Sequence, residues 1–131
     1  MKHDTIRLGI VGLRNIGRGH VRAAAGLAGA TVAALADTDA TRVQQCREAF
    51  GDARGYTDAD ELLHDDEIDG VVLAVPDHLH APMAIAALEA GKHVLVEKPI
   101  SRTAAEARDM MAARDKAGKV LMVGMNQRFA Q

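Results

Sequence analysis

The chain has 131 residues, with 16 Lys and Arg against 18 Asp and Glu and a formal net charge of −2, enough for one domain with a core and too short for two ordinary ones. That balance offers no cationic field to a phosphate backbone, and Phe50, Tyr56 and Phe129 are too few aromatics for a base-stacking platform, which argues against nucleic acid as a partner. The longest uncharged stretch, Ala23 to Ala36, falls short of the roughly 20 residues of a membrane span, and the lone Cys46 excludes an internal disulfide; with no signal-peptide pattern at the N-terminus, a soluble cytoplasmic protein is expected.

The first apolar run, Ile6 to Val11, reads as a strand. The turn Gly12-Leu13-Arg14-Asn15-Ile16-Gly17 leads from it into a helix carrying apolar Ile16, Val21, Ala24 and Leu27. A dinucleotide-binding turn in this place reads G-x-G-x-x-G, in which the first glycine makes the tight turn, the second admits the pyrophosphate and the third lets the helix pack on the strand. Here Arg14 stands at the second glycine position. Its Cβ obstructs a pyrophosphate on the usual path, whereas its guanidinium neutralises a phosphate if it turns inward. A ligand-free turn between strand and helix is the plain alternative.

The second run, Thr31 to Ala36, ends at Asp37, twenty positions after Gly17. A carboxylate there can accept from both hydroxyls of an adenosine ribose and repels a 2′-phosphate; an ordinary helix-capping aspartate is the alternative. Thr38, rather than a basic residue, follows it and favours NAD over NADP, although Arg42 lies close by. Asp39 and Asp58 suit the N-caps of two further helices, and a weaker strand pattern over Arg54 to Tyr56 belongs at a sheet edge.

After the run Val71 to Val75 comes Pro76-Asp77-His78-Leu79-His80-Ala81-Pro82. Pro76 stops the strand, Pro82 suits a first helical turn and Gly91 the end of that helix. His78 and His80 find no further ligand at a recognised spacing, so no metal is expected. His93 to Val96 then runs into Glu97-Lys98-Pro99, whose lysine either donates to a substrate or ribose oxygen or pairs with its neighbour in solvent. Thr103-Ala-Ala-Glu106 is a capping box opening a helix to about Lys116, with Gly118 to close it and a last strand over Val120 to Val123.

Strand runs alternating with helices predict an α/β protein with a doubly wound parallel sheet of about six strands in three α/β/α layers. The runs are nearly continuously apolar, as strands covered on both faces are. Gly12 to Gly17, Asp37, Pro76 to His80, Glu97-Lys98 and Asn126 all fall just after strands, so one sheet edge collects them, and that edge is where open α/β sheets bind ligands.

With these residues in view, the chain resembles the N-terminal Rossmann domain of the glucose-fructose oxidoreductase / inositol dehydrogenase (Gfo/Idh/MocA) family. The resemblance is carried by Leu8 to Gly17, Asp37, Tyr56-Thr57-Asp58, Asp69-Gly-Val-Val72, Pro76 to His80, Ala90-Gly-Lys-His-Val-Leu-Val-Glu-Lys-Pro99, and Val123-Gly-Met-Asn126 with Arg128-Phe129. It implies a single dinucleotide-binding domain over residues 1–131 and a nicotinamide-dependent oxidoreductase acting on sugars, cyclitols or similar polyols. By the same resemblance Gly12, Asn15, Ile16 and Gly17 hold the pyrophosphate and Asp37 the adenosine ribose, while Arg14 departs from the family's second glycine and is expected at the same phosphate edge. Lys98 sits by nicotinamide and substrate, and His80 lies at the nicotinamide end; Pro76, Glu97 and Asn126 complete the cofactor edge. Lys98 and His80 are the residues it would make catalytic. The resemblance also implies a cis Lys98–Pro99 bond and a second α/β domain that supplies most of the substrate pocket, the general acid–base and the oligomer interface. Without that domain the chain is expected not to turn over substrate. A non-catalytic nucleotide-sensing module and a methyltransferase-like domain are the other readings of the same glycine turn and acid.

Overall fold

The computed structural model describes residues 4–125. The chain order is β1 (Ile6–Val11), α1 (Asn15–Ala25), β2 (Ala30–Ala36), α2 (Ala40–Phe50), β3 (Arg54–Tyr56), α3 (Ala59–Leu63) and β4 (Gly70–Leu73). A 3₁₀ turn (Asp77–Leu79) then leads into α4 (His80–Glu89), β5 (His93–Glu97), α5 (Ala104–Ala117) and β6 (Leu121–Gly124). Each expected strand is present, with β3 at an edge. β4 ends at Leu73 rather than Val75, and the Val75 carbonyl is turned to the His80 ring instead of a neighbouring strand.

Among the described residues the six strands form one parallel sheet in the order β3-β2-β1-β4-β5-β6. The order reverses between β1 and β4. Two successive helical crossovers carry the chain outward from β1 to β3, and the chain then returns to the other side of β1, so a crevice opens above the carboxyl ends of β1 and β4.

Alternate residues of each strand enter different cores. Val11, Ala34, Ala36, Val71, Leu73, Val94 and Val96 face one buried cluster with Leu62, Leu63, Leu88 and Met110 from α3, α4 and α5. Ile10, Leu35 and Val72 face the other, with Val21 from α1 and Val43 and Cys46 from α2. This two-sided burial explains the apolar runs of β1, β2, β4 and β5, whereas the edge strands β3 and β6 keep exposed positions. Each fully buried Leu or Ile contributes about 1.5–3 kcal/mol of transfer free energy. Small residues set the spacing: Ala84 and Ala87 of α4 have no exposed surface and let the helix lie close on the sheet.

The helix ends follow local chemistry. Asp39 accepts from the Thr41 N–H, Asp58 from the Asp60 N–H and Thr103 from the Glu106 N–H. The expected capping box is only half made: Glu106 does not reach back to Thr103 but accepts from the Arg102 guanidinium at 2.9 and 3.1 Å.

One buried cation holds the loop before β4. Lys92 is 3% exposed, and its ammonium donates to the carbonyls of Asp65 at 2.8 Å and Ile68 at 3.0 Å. Lys92→Met keeps the apolar stem and deprives both carbonyls of this donor. It is expected to cost about 1–3 kcal/mol, seen as a lower urea midpoint at unchanged m-value.

Candidate functional site

The crevice is built first from the β1–α1 turn. Gly12 has φ +90°, and a Cβ there would strike the Ala74 carbonyl oxygen; a Cβ on Gly17 would strike the carbonyl oxygen of Gly12. The first and third glycines of the motif are thus required by the fold, whatever it binds. Arg14 differs. Its backbone is extended, φ −77° and ψ −165°, a conformation open to any residue, so the turn itself does not ask for glycine at this position.

Arg14 is also the N-cap of α1, and its side chain makes no capping hydrogen bond; the first turn holds no acidic residue. The N–H groups of Asn15, Ile16 and Gly17 therefore keep the positive end of the helix open toward the crevice, a setting that favours an anion. Ile16 is exposed at the same rim.

Asp37 stands opposite, at the end of β2, with both carboxylate oxygens in use. Oδ2 accepts from the Leu13 N–H at 2.9 Å and Oδ1 from the Asp39 N–H at 2.8 Å. The Arg42 guanidinium lies 3.7 Å from Asp37 and 3.1 Å from Asp39. The acid is thereby locked in orientation and ties β2 to the glycine turn. A carboxylate has about four acceptor sites, so two remain for a ligand.

The third wall is the segment after β4. Together the walls enclose a cleft of about 700 Å³, lined by Gly12, Arg14, Asn15, Ile16, Gly17, Asp37 and Pro76 among the expected residues. This volume is within the usual range for a small-molecule or cofactor site. Thr38 and Arg42, already weighed beside Asp37, line it too, as do His78 and Leu79 of the Pro76 to His80 segment, and Ala59 and Met83, which had not been singled out. Ala59 and Met83 carried no signal, since they reach the cleft from helices.

Glu97, Lys98 and His80 are not part of that wall. Glu97 ends β5 and Lys98 follows it, one strand beyond β4 on the same sheet edge, and Lys98 is exposed. The Lys98–Pro99 bond is cis, as the resemblance implies. His80 departs from the expectation of a catalytic contact. It is 1% exposed, with Nδ1 2.7 Å from the Pro99 carbonyl and Nε2 2.8 Å from the Val75 carbonyl. Carbonyls only accept, so the ring donates to both when it carries both protons and to one when neutral; neither nitrogen is left for a ligand. The ring instead bridges the loops after β4 and β5. Asn126 lies outside the described residues. Among the described residues no helix is long and apolar enough to cross a membrane.

Comparison with known proteins places this geometry. Residues 6–125 match the model of an oxidoreductase family, the GFO_IDH_MocA NAD-binding Rossmann fold. Inositol 2-dehydrogenase 1 of Saccharopolyspora erythraea is 40% identical over 128 residues, which are 95% of this chain and 38% of that protein. The scyllo-inositol dehydrogenase of Lactobacillus casei, solved with NAD(H) and scyllo-inositol, superposes with a TM-score of 0.91 at 26% identity, over 97% of this chain and 38% of that one. A 3-ketoreductase from Actinomadura kijaniata, solved with TDP-benzene and NADP, gives 0.86 at 30% identity over 92% and 38%. The chain thus spans about 38% of the length of the curated relatives it matches. Its strand order, its glycine turn and the family match over nearly all of its described residues agree: the chain belongs to the Gfo/Idh/MocA oxidoreductases and carries their NAD-binding Rossmann fold.

Proposed function

We propose that the cleft binds NAD in preference to NADP, as the cofactor half of an oxidoreductase acting on polyol hydroxyls of the sugar or cyclitol type. The observation that carries this reading is the turn itself. Gly12 and Gly17 bring α1 against β1 with its first N–H groups uncapped, at the mouth of a cleft of dinucleotide-compatible size whose far wall is an oriented carboxylate.

In this reading the N–H groups of Asn15, Ile16 and Gly17 receive the pyrophosphate and Asp37 uses its remaining acceptor sites for the adenosine ribose. Two features support NAD. The Asp37 charge repels a 2′-phosphate, and Arg42, the nearby cation, is already shared between Asp37 and Asp39. Arg14, exposed at the rim and not constrained by its backbone, closes over the phosphates as a charge-assisted donor while its Cβ narrows their approach. These effects oppose each other.

When bound, the nicotinamide supplies the carbon that exchanges hydride with a substrate carbinol. The chain's own contribution there is Lys98, whose ammonium orients and polarises the substrate oxygen. His80 acts through the loops it joins rather than by contact. The sugar or cyclitol class is supported by the inositol dehydrogenases among the relatives, and since those proteins are longer, we assign turnover to the fold together with the remaining length of such a protein. Cys46, buried and free, accords with a reducing cytoplasm.

Titration calorimetry with NADH and NADPH on the protein and on Arg14→Gly tests the cofactor reading. NADH is expected to bind at submillimolar concentration and NADPH about tenfold or more weakly, a difference of about 1.4 kcal/mol. Absence of binding by either cofactor to either protein at millimolar concentration removes the reading. Asp37→Asn replaces one acceptor oxygen with an amide donor that faces a backbone N–H. It is expected to lower stability without ligand by about 1–2 kcal/mol and to narrow the gap between NADH and NADPH, the first read by urea denaturation and the second by calorimetry.

A further inference from the structure

The corner Glu97-Lys98-Pro99 is held from both sides by histidines of other elements. His20 of α1 places Nε2 2.6 Å from Oε1 of Glu97, across 77 positions of sequence, with the two side chains 25% and 18% exposed. A carboxylate accepts only, so Nε2 carries the hydrogen. Glu97 also lies against Gly124 of β6, where a Cβ would come within 3.3 Å of Oε1, so β6 leaves the carboxylate just enough room. On the other side of the lysine, the Pro99 carbonyl takes the His80 ring. Lys98 itself has no hydrogen bond or ion pair with any other described residue. Its location therefore depends on how its neighbours are held.

We infer that His20 is a positioning residue for Lys98. By hydrogen-bonding the Glu97 carboxylate it fixes the residue before the lysine and satisfies the anion nearest to it in the chain. With His20 removed, the partly buried carboxylate loses its donor, and the cation adjacent in sequence is Lys98. The ammonium then pairs with Glu97 instead of remaining available at the sheet edge. A purely structural tie between α1 and β5 would lower stability on removal and leave the lysine as reactive as before. The role of Lys98 toward substrate rests on the function proposed above; the positioning of its ammonium does not.

Competitive acetylation of lysine amines by trace acetic anhydride, read by mass spectrometry without cofactor, tests it. His20→Ala is expected to slow Lys98 labelling about threefold or more relative to Lys116 and Lys119, because pairing with a carboxylate favours the protonated, unreactive amine. His20→Gln, whose amide nitrogen reaches as far as Nε2, restores the rate, and so does adding Glu97→Gln to His20→Ala, since no anion is left to capture the lysine. Equal Lys98 labelling in wild type, His20→Ala and His20→Gln overturns the assignment whatever their melting temperatures. A rate that stays low in the double variant overturns it as well. If His20→Ala does not fold, His20→Asn, too short to reach Glu97, takes its place with the same expected slowing. NADH titration of the wild type is read separately: a protein that labels as expected and binds no NADH keeps the positioning role and loses the cofactor reading.

Discussion

The helix α1 begins in direct contact with the strand that precedes it, and the site depends on that approach. Gly17 sits on the carbonyl oxygen of Gly12, and Gly12 takes a positive φ under the Ala74 carbonyl. The Gly12 N–H donates to the Ala36 carbonyl, and the Leu13 N–H to Asp37. A β-carbon at either glycine would push α1 off the sheet, and with it the three N–H groups that face the crevice. Asp37 serves the same constraint from the other side. Its first duty is to hold the turn, and its place at the cleft follows from that.

A parallel sheet makes this economical. Every crossover returns the chain to the same edge, so the segments after β1, β2, β4 and β5 share that edge although the first and last are far apart in sequence. Both cores are filled by aliphatic side chains and alanine with Met110 and Cys46, and the chemistry-bearing groups are left to the loops above them. The exceptions are the polar groups that cross between loops. Lys92 joins the segment before β4 to the start of β5 by donating to the carbonyls of Asp65 and Ile68, and the His80 ring, set between the carbonyls of Val75 and Pro99, joins the ends of β4 and β5.

Arg14 separates two requirements that the glycine fingerprint usually combines. The first and third glycines answer to backbone conformation and packing. The second answers only to the ligand, because an extended residue fits there without strain. An arginine at that position therefore leaves the fold intact and changes what the cleft presents to a phosphate.

Much of this was open to reading from local pattern. Apolar runs located five strands and a weaker pattern the edge strand β3, Asp39, Asp58 and Thr103 announced their helices, and Gly12, Gly17 and Asp37 fell at the carboxyl edge because each follows a strand. These features are decided within a few residues of chain, where periodicity and capping act. Other features needed the packed molecule. Glu106 was taken by Arg102 instead of completing its capping box, and Asp37 spent two acceptor sites on the backbone. His80 was drawn into the interior as a bridge, and His20 met Glu97 from 77 positions away. The amino-acid order by itself determined the elements, their sequence and the edge on which the polar residues collect. Only the tertiary structure decided which polar group is spent on holding the fold and which stays open to a ligand, because that choice is settled by partners distant in sequence that compete for the same donors and acceptors.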